Sequence, residues 1–212
     1  MAIANRKERQ KEELKAKILE AARALFIDRG FEETSIRNIA ERIEYSPTTI
    51  YLYFKDKDDI FYALHREGFV LLNQYFRSLQ EVADPFERLK AIQRAYVRFA
   101  LENKEYYDLM FISRSPMSAL EDSDDEKWEE GNRAFGALTN TVQQCIEQGY
   151  FKGMDPEVLA FTCWSMVHGI CALEIRGRCK VVREDLLNDI SIRVGAMVVE
   201  ILERMHSKKP TS

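Results

Sequence analysis

Thr48, Thr49, Tyr51, Tyr53 and Lys55 set four hydroxyls and an ammonium group within eight residues, with no carboxylate among them. Such groups hydrogen-bond to base edges and bind phosphate oxygens, which is the chemistry of nucleic-acid recognition. They follow Ser46 and Pro47, where the serine can cap a helix and the proline takes the first helical position, whose N–H has no partner in any case. Upstream, Thr34 or Ser35 can cap another short helix, with Ile36, Ile39, Ala40 and Ile43 recurring on one face. Two short helices joined by a tight turn, the second presenting a polar row, match the helix-turn-helix that lays a recognition helix in a DNA major groove. The plainer alternative is a helical hairpin buried in a bundle.

The charge distribution favours the first reading. The 212-residue chain has a net charge of −4, yet residues 1–55 carry 11 Lys/Arg against 9 Asp/Glu. The remainder carries 20 against 26, and the basic excess is sharpest at Arg6, Lys7, Arg9, Lys11, Lys15 and Lys17. A basic lead-in suits phosphate or minor-groove contact; its bland counterpart is a solvated helix face with i,i+4 pairs such as Glu13 and Lys17.

The elements that must position these groups are helical throughout. With 9 glycines and 5 prolines and long periodic segments, the chain reads as an all-α protein of about nine helices. The expected division is a three-helix helix-turn-helix domain over 1–55 followed by a larger helical bundle over 56–212. The helices are expected near 6–29, 36–43, 47–53, 56–79, 85–102, 106–112, 126–148, 156–177 and 184–205, with an acidic loop over 113–125. The longest uninterrupted apolar runs, such as Val194 to Val199, are far shorter than a membrane span, and the charged start does not resemble a signal peptide. The expectation is a cytoplasmic protein with no membrane partner.

The eighth helix is apolar nearly all round, through Leu159, Phe161, Trp164, Met166, Val167, Ile170, Cys171 and Leu173. The ninth repeats Leu187, Ile190, Val194, Met197, Val198, Ile201 and Met205. A helix apolar on all sides must be covered on all sides, and the simplest cover is the same pair from a second subunit. Helices 8 and 9 are therefore expected to build a homodimer, with Gly169 and Ala172 permitting close approach and Val198 and Ile201 in the interface.

At this point the residues carry a family resemblance. Ile18-Leu-Glu-Ala-Ala-Arg-Ala-Leu-Phe26, Gly30-Phe31, Thr34, Ile39-Ala40, Ser46-Pro-Thr-Thr-Ile-Tyr-Leu-Tyr-Phe-Lys55 and Lys57-Asp-Asp-Ile60 resemble the DNA-binding domain of the tetracycline-repressor (TetR) family. The resemblance implies a homodimer with one reading head per subunit, a palindromic DNA operator, and release from DNA when a ligand binds the larger domain. It also implies DNA-contacting roles for Thr34, Ser35, Arg37, Ser46, Pro47, Thr48, Thr49, Tyr51, Tyr53 and Lys55. One departure stands out: the turn commonly has glycine where this chain has Glu44, and a small apolar residue where it has Tyr45. A left-handed backbone at Glu44 would be strained by about 1–2 kcal/mol.

The larger domain holds an aromatic and methionine-rich set: Tyr96, Phe99, Tyr106, Tyr107, Met110, Phe111, Met117, Trp128, Phe135, Trp164 and His168. Pockets are mostly apolar with few polar anchors, so this set suits a small apolar or aromatic ligand, with His168 as one polar contact. For any single member, ordinary core packing is the plainer reading. Cys145, Cys163, Cys171 and Cys179 lack metal-ligand spacing and read as reduced, buried residues. With three histidines, no nucleophile elbow, no phosphate loop and no zinc spacing, the chain reads as neither an enzyme nor the holder of a cofactor or metal. The alternatives within reach are a TetR-like regulator without a small-molecule ligand and a helical dimer that binds another protein.

Overall fold

The computed structural model describes the backbone of residues 2–112 and 129–207, and side chains among them from 6 to 204. Among these residues there are nine α-helices and no strand: α1 Ala2–Arg29, α2 Ile36–Arg42, α3 Pro47–Tyr51, α4 Lys57–Arg77, α5 Pro85–Glu102, α6 Lys104–Tyr107, α7 Glu129–Glu147, α8 Pro156–Ile175 and α9 Ile190–Ser207. The all-helical expectation holds, with changes at the ends. α6 gives way to a π-helical turn over Asp108–Ile112. The expected ninth helix starts late, because Glu184–Leu186 forms a separate 3₁₀ turn before Ile190. The expected acidic loop lies outside the described residues.

Local chemistry explains the boundaries. Gly30 ends α1 in a left-handed conformation, φ 88°, and its N–H returns to the Phe26 carbonyl. Asp84 and Asp155 each precede a proline and accept backbone N–H groups of the first turn, so α5 and α8 start as the sequence predicts.

The described residues form two compact units, 2–68 with 105–112, and 69–104 with 129–207. In the first, α1, α2, α3 and the start of α4 enclose one core in which Ile18, Ala22, Ile39, Ile50 and Ile60 are fully buried. Leu109, from the π-helical turn, completes that core. In the second, α5 packs against α7, α8 and α9 and buries Leu89, Phe99 and Ala100 completely.

By length and mean hydropathy, 1.6, α8 is apolar enough to cross a membrane. Single polar residues interrupt the helix, so its apolar character does not show as one uninterrupted run. It packs against α5, α7 and α9 within its unit.

Candidate functional site

The candidate DNA face is built from α2, the turn and α3. Ser35, not Thr34, caps α2: its Oγ accepts the Asn38 N–H at 3.2 Å, and the Asn38 side chain accepts the Ser35 N–H at 3.0 Å. Thr34 stands differently from its expected place. It is buried, and its hydroxyl donates to the Gly30 carbonyl at 2.9 Å, so this geometry presents no hydroxyl to a phosphate. Ser46 caps α3 by accepting the Thr49 N–H at 3.2 Å, with Pro47 at the first helical position. The two hydroxyls of Ser46 and Thr49 also bond to each other at 3.0 Å.

The turn adopts the strained form. Glu44 is left-handed at φ 60°, the conformation that a glycine would take freely. The tight turn survives because the Ile43, Glu44 and Tyr45 N–H groups all return to α2 carbonyls.

Ile50 and Phe54 anchor α3 in the core. That fixes the opposite side outward: Ser46, Thr48, Tyr51 and Lys55 are exposed, while Pro47, Thr49 and Tyr53 are half-buried. Arg37 projects from α2 and is exposed. At the start of α4, Asp56 accepts the Asp59 N–H at 2.8 Å, and Asp59 accepts the Lys55 N–H at 3.0 Å. The Asp59 carboxylate thus fixes the Lys55 backbone through its N–H. Along α1, Arg6, Lys7, Arg9, Lys11 and Lys17 are exposed, with Arg9 paired to Glu13 at 3.2 Å. Lys15 instead lies 5.9 Å over the Phe54 ring. Tyr45 and Leu52 also project outward, at 44% and 76% exposure, although neither is among the residues expected to contact DNA.

The aromatic set divides between the units. In the second, the Trp164 indole N–H donates to the Tyr96 hydroxyl at 3.0 Å, and that hydroxyl lies 3.1 Å from His168 Nδ1. Phe135 and His168 flank the Trp164 ring at 6.1 and 5.6 Å. Burial holds His168 below its ordinary pKa, so it is favoured as the neutral imidazole. Phe99 is fully buried against Tyr75.

Tyr106, Met110 and Phe111 fall in the first unit instead. Tyr106 bonds Glu67 at 3.1 Å and lies 5.0 Å from the Arg23 guanidinium, Phe111 packs on Tyr107, and Met110 abuts Gly68. Trp128 and Met117 lie outside the described residues. A cavity of about 470 Å³ opens between α5 and α9, lined by Arg94, Val97, Leu101, Ile192, Ala196 and Val199 among others. None of the expected ligand residues lines it.

The four cysteines are free and buried, and burial pushes the Cys145 and Cys171 thiols up to about 12 and Cys163 up to about 11. They are poor nucleophiles there.

α8 leaves Val158, Phe161, Met166 and Leu173 exposed, and α9 leaves Ile192 and Met197 exposed. Val198, expected at a subunit interface, is buried within its own unit, and Ile201 is half-buried. Helical periodicity marks an apolar stripe without saying which neighbour covers it.

Two capped helices around a tight turn, with α3 anchored on one side and hydroxyl-rich on the other, define a helix-turn-helix DNA-binding regulator. Comparison with known proteins agrees. Residues 18–64 match the family model for bacterial regulatory proteins of the tetR family, and residues 89–190 match that for the tetracyclin repressor-like C-terminal domain. The chain belongs to the tetracycline-repressor family, whose members bind DNA and act as dimers.

Among relatives, the regulator HbdR of Aromatoleum sp. is 25% identical over 74% of this chain and 68% of its own. The transcriptional activator FasR of Mycolicibacterium smegmatis is 28% identical over 48% of this chain and 47% of its own. The chain thus spans about half of FasR. Solved structures share the fold. PfmR of Thermus thermophilus superposes at TM-score 0.65 and 22% identity, covering 92% of this chain and 96% of that one. The fatty acid degradation regulator FadR of Bacillus halodurans superposes at 0.68 and 17%, covering 91% and 94%.

Proposed function

We propose that this protein is a ligand-responsive transcriptional repressor that binds a palindromic operator as a homodimer in the cytoplasm. The observation that carries this reading is the solvent-facing row of Thr48, Tyr51 and Lys55 on a helix anchored from behind by Ile50 and Phe54. Tyr51, Thr48 and Arg37 would meet base edges; Ser35, Ser46, Lys55 and the basic start of α1 would meet phosphates; Pro47, Thr49 and Tyr53 would shape the face behind them. DNA reading is assigned to residues 1–55, and ligand binding and dimerisation to 56–212.

Dimerisation is assigned to α8 and α9. Their exposed apolar side chains support it, as does Gly169, around which an added Cβ would meet nothing within 4 Å. The ligand is a small apolar or aromatic molecule. Tyr96, Phe135, Trp164 and His168 form the ligand-contacting group best supported by geometry, since they join aromatic faces to a hydroxyl and an imidazole in one network. Phe99, on α5 with Tyr96, would complete its surroundings.

Tyr106 and Met110 are assigned to relaying ligand occupancy rather than to a shared network with Tyr96, because they bear on α1 and α4, and Phe111, packed on Tyr107 of the same segment, is assigned with them. Ligand would favour the state with α4 displaced and the two heads out of register. It must bind that state better by several kcal/mol to switch the protein well. A band-shift titration against DNA upstream of the chain's own coding sequence tests the proposal. A sequence-selective complex is expected at moderate salt; equal binding to scrambled duplex contradicts it.

A further inference from the structure

Among the described residues of the reading head, Leu52 is the most exposed large apolar side chain, at 76%. Leu52 continues α3 in right-handed helical backbone, φ −74° and ψ −17°, one turn beyond Thr48 and beside Tyr51. It is the most exposed of the large apolar side chains around α3, whereas Ile50 and Phe54 on the other side are buried. Solitary exposed leucines are common. This one shares its outward side with Thr48 and Tyr51, and residues 45–55 contain no acid. It has no donor or acceptor, so hydrogen bonding to a base edge is closed to it. In a major groove the one apolar group on a base edge is the thymine C5-methyl.

Resting on the assignment of α3 as a recognition helix, we infer that Leu52 is a specificity-determining residue that reads a thymine methyl group in each operator half-site. At that position thymine is preferred over cytosine, which lacks the C5-methyl group and so offers Leu52 no apolar contact. The contact is apolar, so it adds sequence preference with little dependence on salt, unlike the phosphate contacts of Lys55.

The test uses the full-length protein and a duplex selected by it from a random pool. Each thymine of that duplex is then replaced in turn by uracil, which removes only the methyl group. At one thymine per half-site, uracil is expected to weaken wild-type binding about 4-fold, the worth of one buried methyl. Leu52→Ala is expected to weaken binding to the thymine duplex and to be indifferent to uracil at the same position. If the wild type selects a sequence but tolerates uracil everywhere, or if Leu52→Ala loses equally on both duplexes, the inference is overturned while DNA reading by α3 stands. If no sequence is selected at all, the underlying assignment fails with it. The uracil arm uses the unmodified protein, so it does not depend on how the variant folds.

Discussion

Gly68 of α4 and Met110 of the π-helical turn approach so closely that a Cβ on the glycine would overlap the methionine sulfur. Helix interiors disfavour glycine by about 1 kcal/mol against alanine. Its presence here is explained by the side chain that fills the space. Gly68→Ala should therefore destabilise the protein by about 1 kcal/mol, with Met110 forced aside. In a Met110→Ala background the same change should stabilise by about 1 kcal/mol. Urea unfolding of the four proteins measures the coupling; simple additivity would show that the two residues do not compete for the space.

Glu44 offers the opposite case, a side chain where glycine would fit better. At φ 60° its backbone is strained, and no side-chain bond compensates among the described hydrogen bonds. Glu44→Gly should raise stability by about 1 kcal/mol, read as an increased thermal midpoint. A lowered midpoint would mean that the turn is held by something other than backbone geometry.

His65 is expected to make the first unit acid-sensitive. Burial lowers its pKa from 6.5 to about 4, against a weaker opposing hydrogen bond with the Met110 backbone. Between those values the unfolded chain binds a proton that the folded chain refuses, so stability rises with pH across the window and falls as pH drops from 6.5 towards 4. The loss at the acid end is about 3 kcal/mol. Unfolding titrations of wild type and His65→Asn at several pH values check this: the slope assigned to His65 should vanish in the variant.

Subunit association should be sensitive to α9. Met197 is exposed at 53%, whereas Val198 is buried within its unit, so a charge at 198 would damage the fold itself. Met197→Glu should give a folded monomer in light scattering with near-native helicity. A dimer that persists unchanged would remove α9 from the interface.

Most of the helices, the caps at Ser46, Asp84 and Asp155, and the strained turn were legible from residue order, because capping chemistry and backbone preference act locally. The hydroxyl pair Thr34-Ser35 was not resolved, since both can cap and only packing decides that Thr34 turns inward to Gly30. The aromatic set read as one cluster because composition does not say which unit a helix joins. Tyr106 and Met110 are drawn to α1 and α4, while Tyr96 and Trp164 face each other across α5 and α8. Leu52 escaped notice because an apolar residue at the end of an amphipathic helix looks like core until the exposed side is known.

The central claim is that the outward row of α3 reads DNA. Its most direct test is band shift of wild type, Tyr51→Ala and Lys55→Ala on a selected operator and a scrambled duplex across a salt series, with thermal melting in parallel. Both variants should lose operator affinity about tenfold with little change in melting temperature. Lys55→Ala alone should flatten the salt dependence by about one phosphate contact per half-site. Wild type that fails to prefer the operator, or variants that lose binding only as far as they lose stability, would contradict the account.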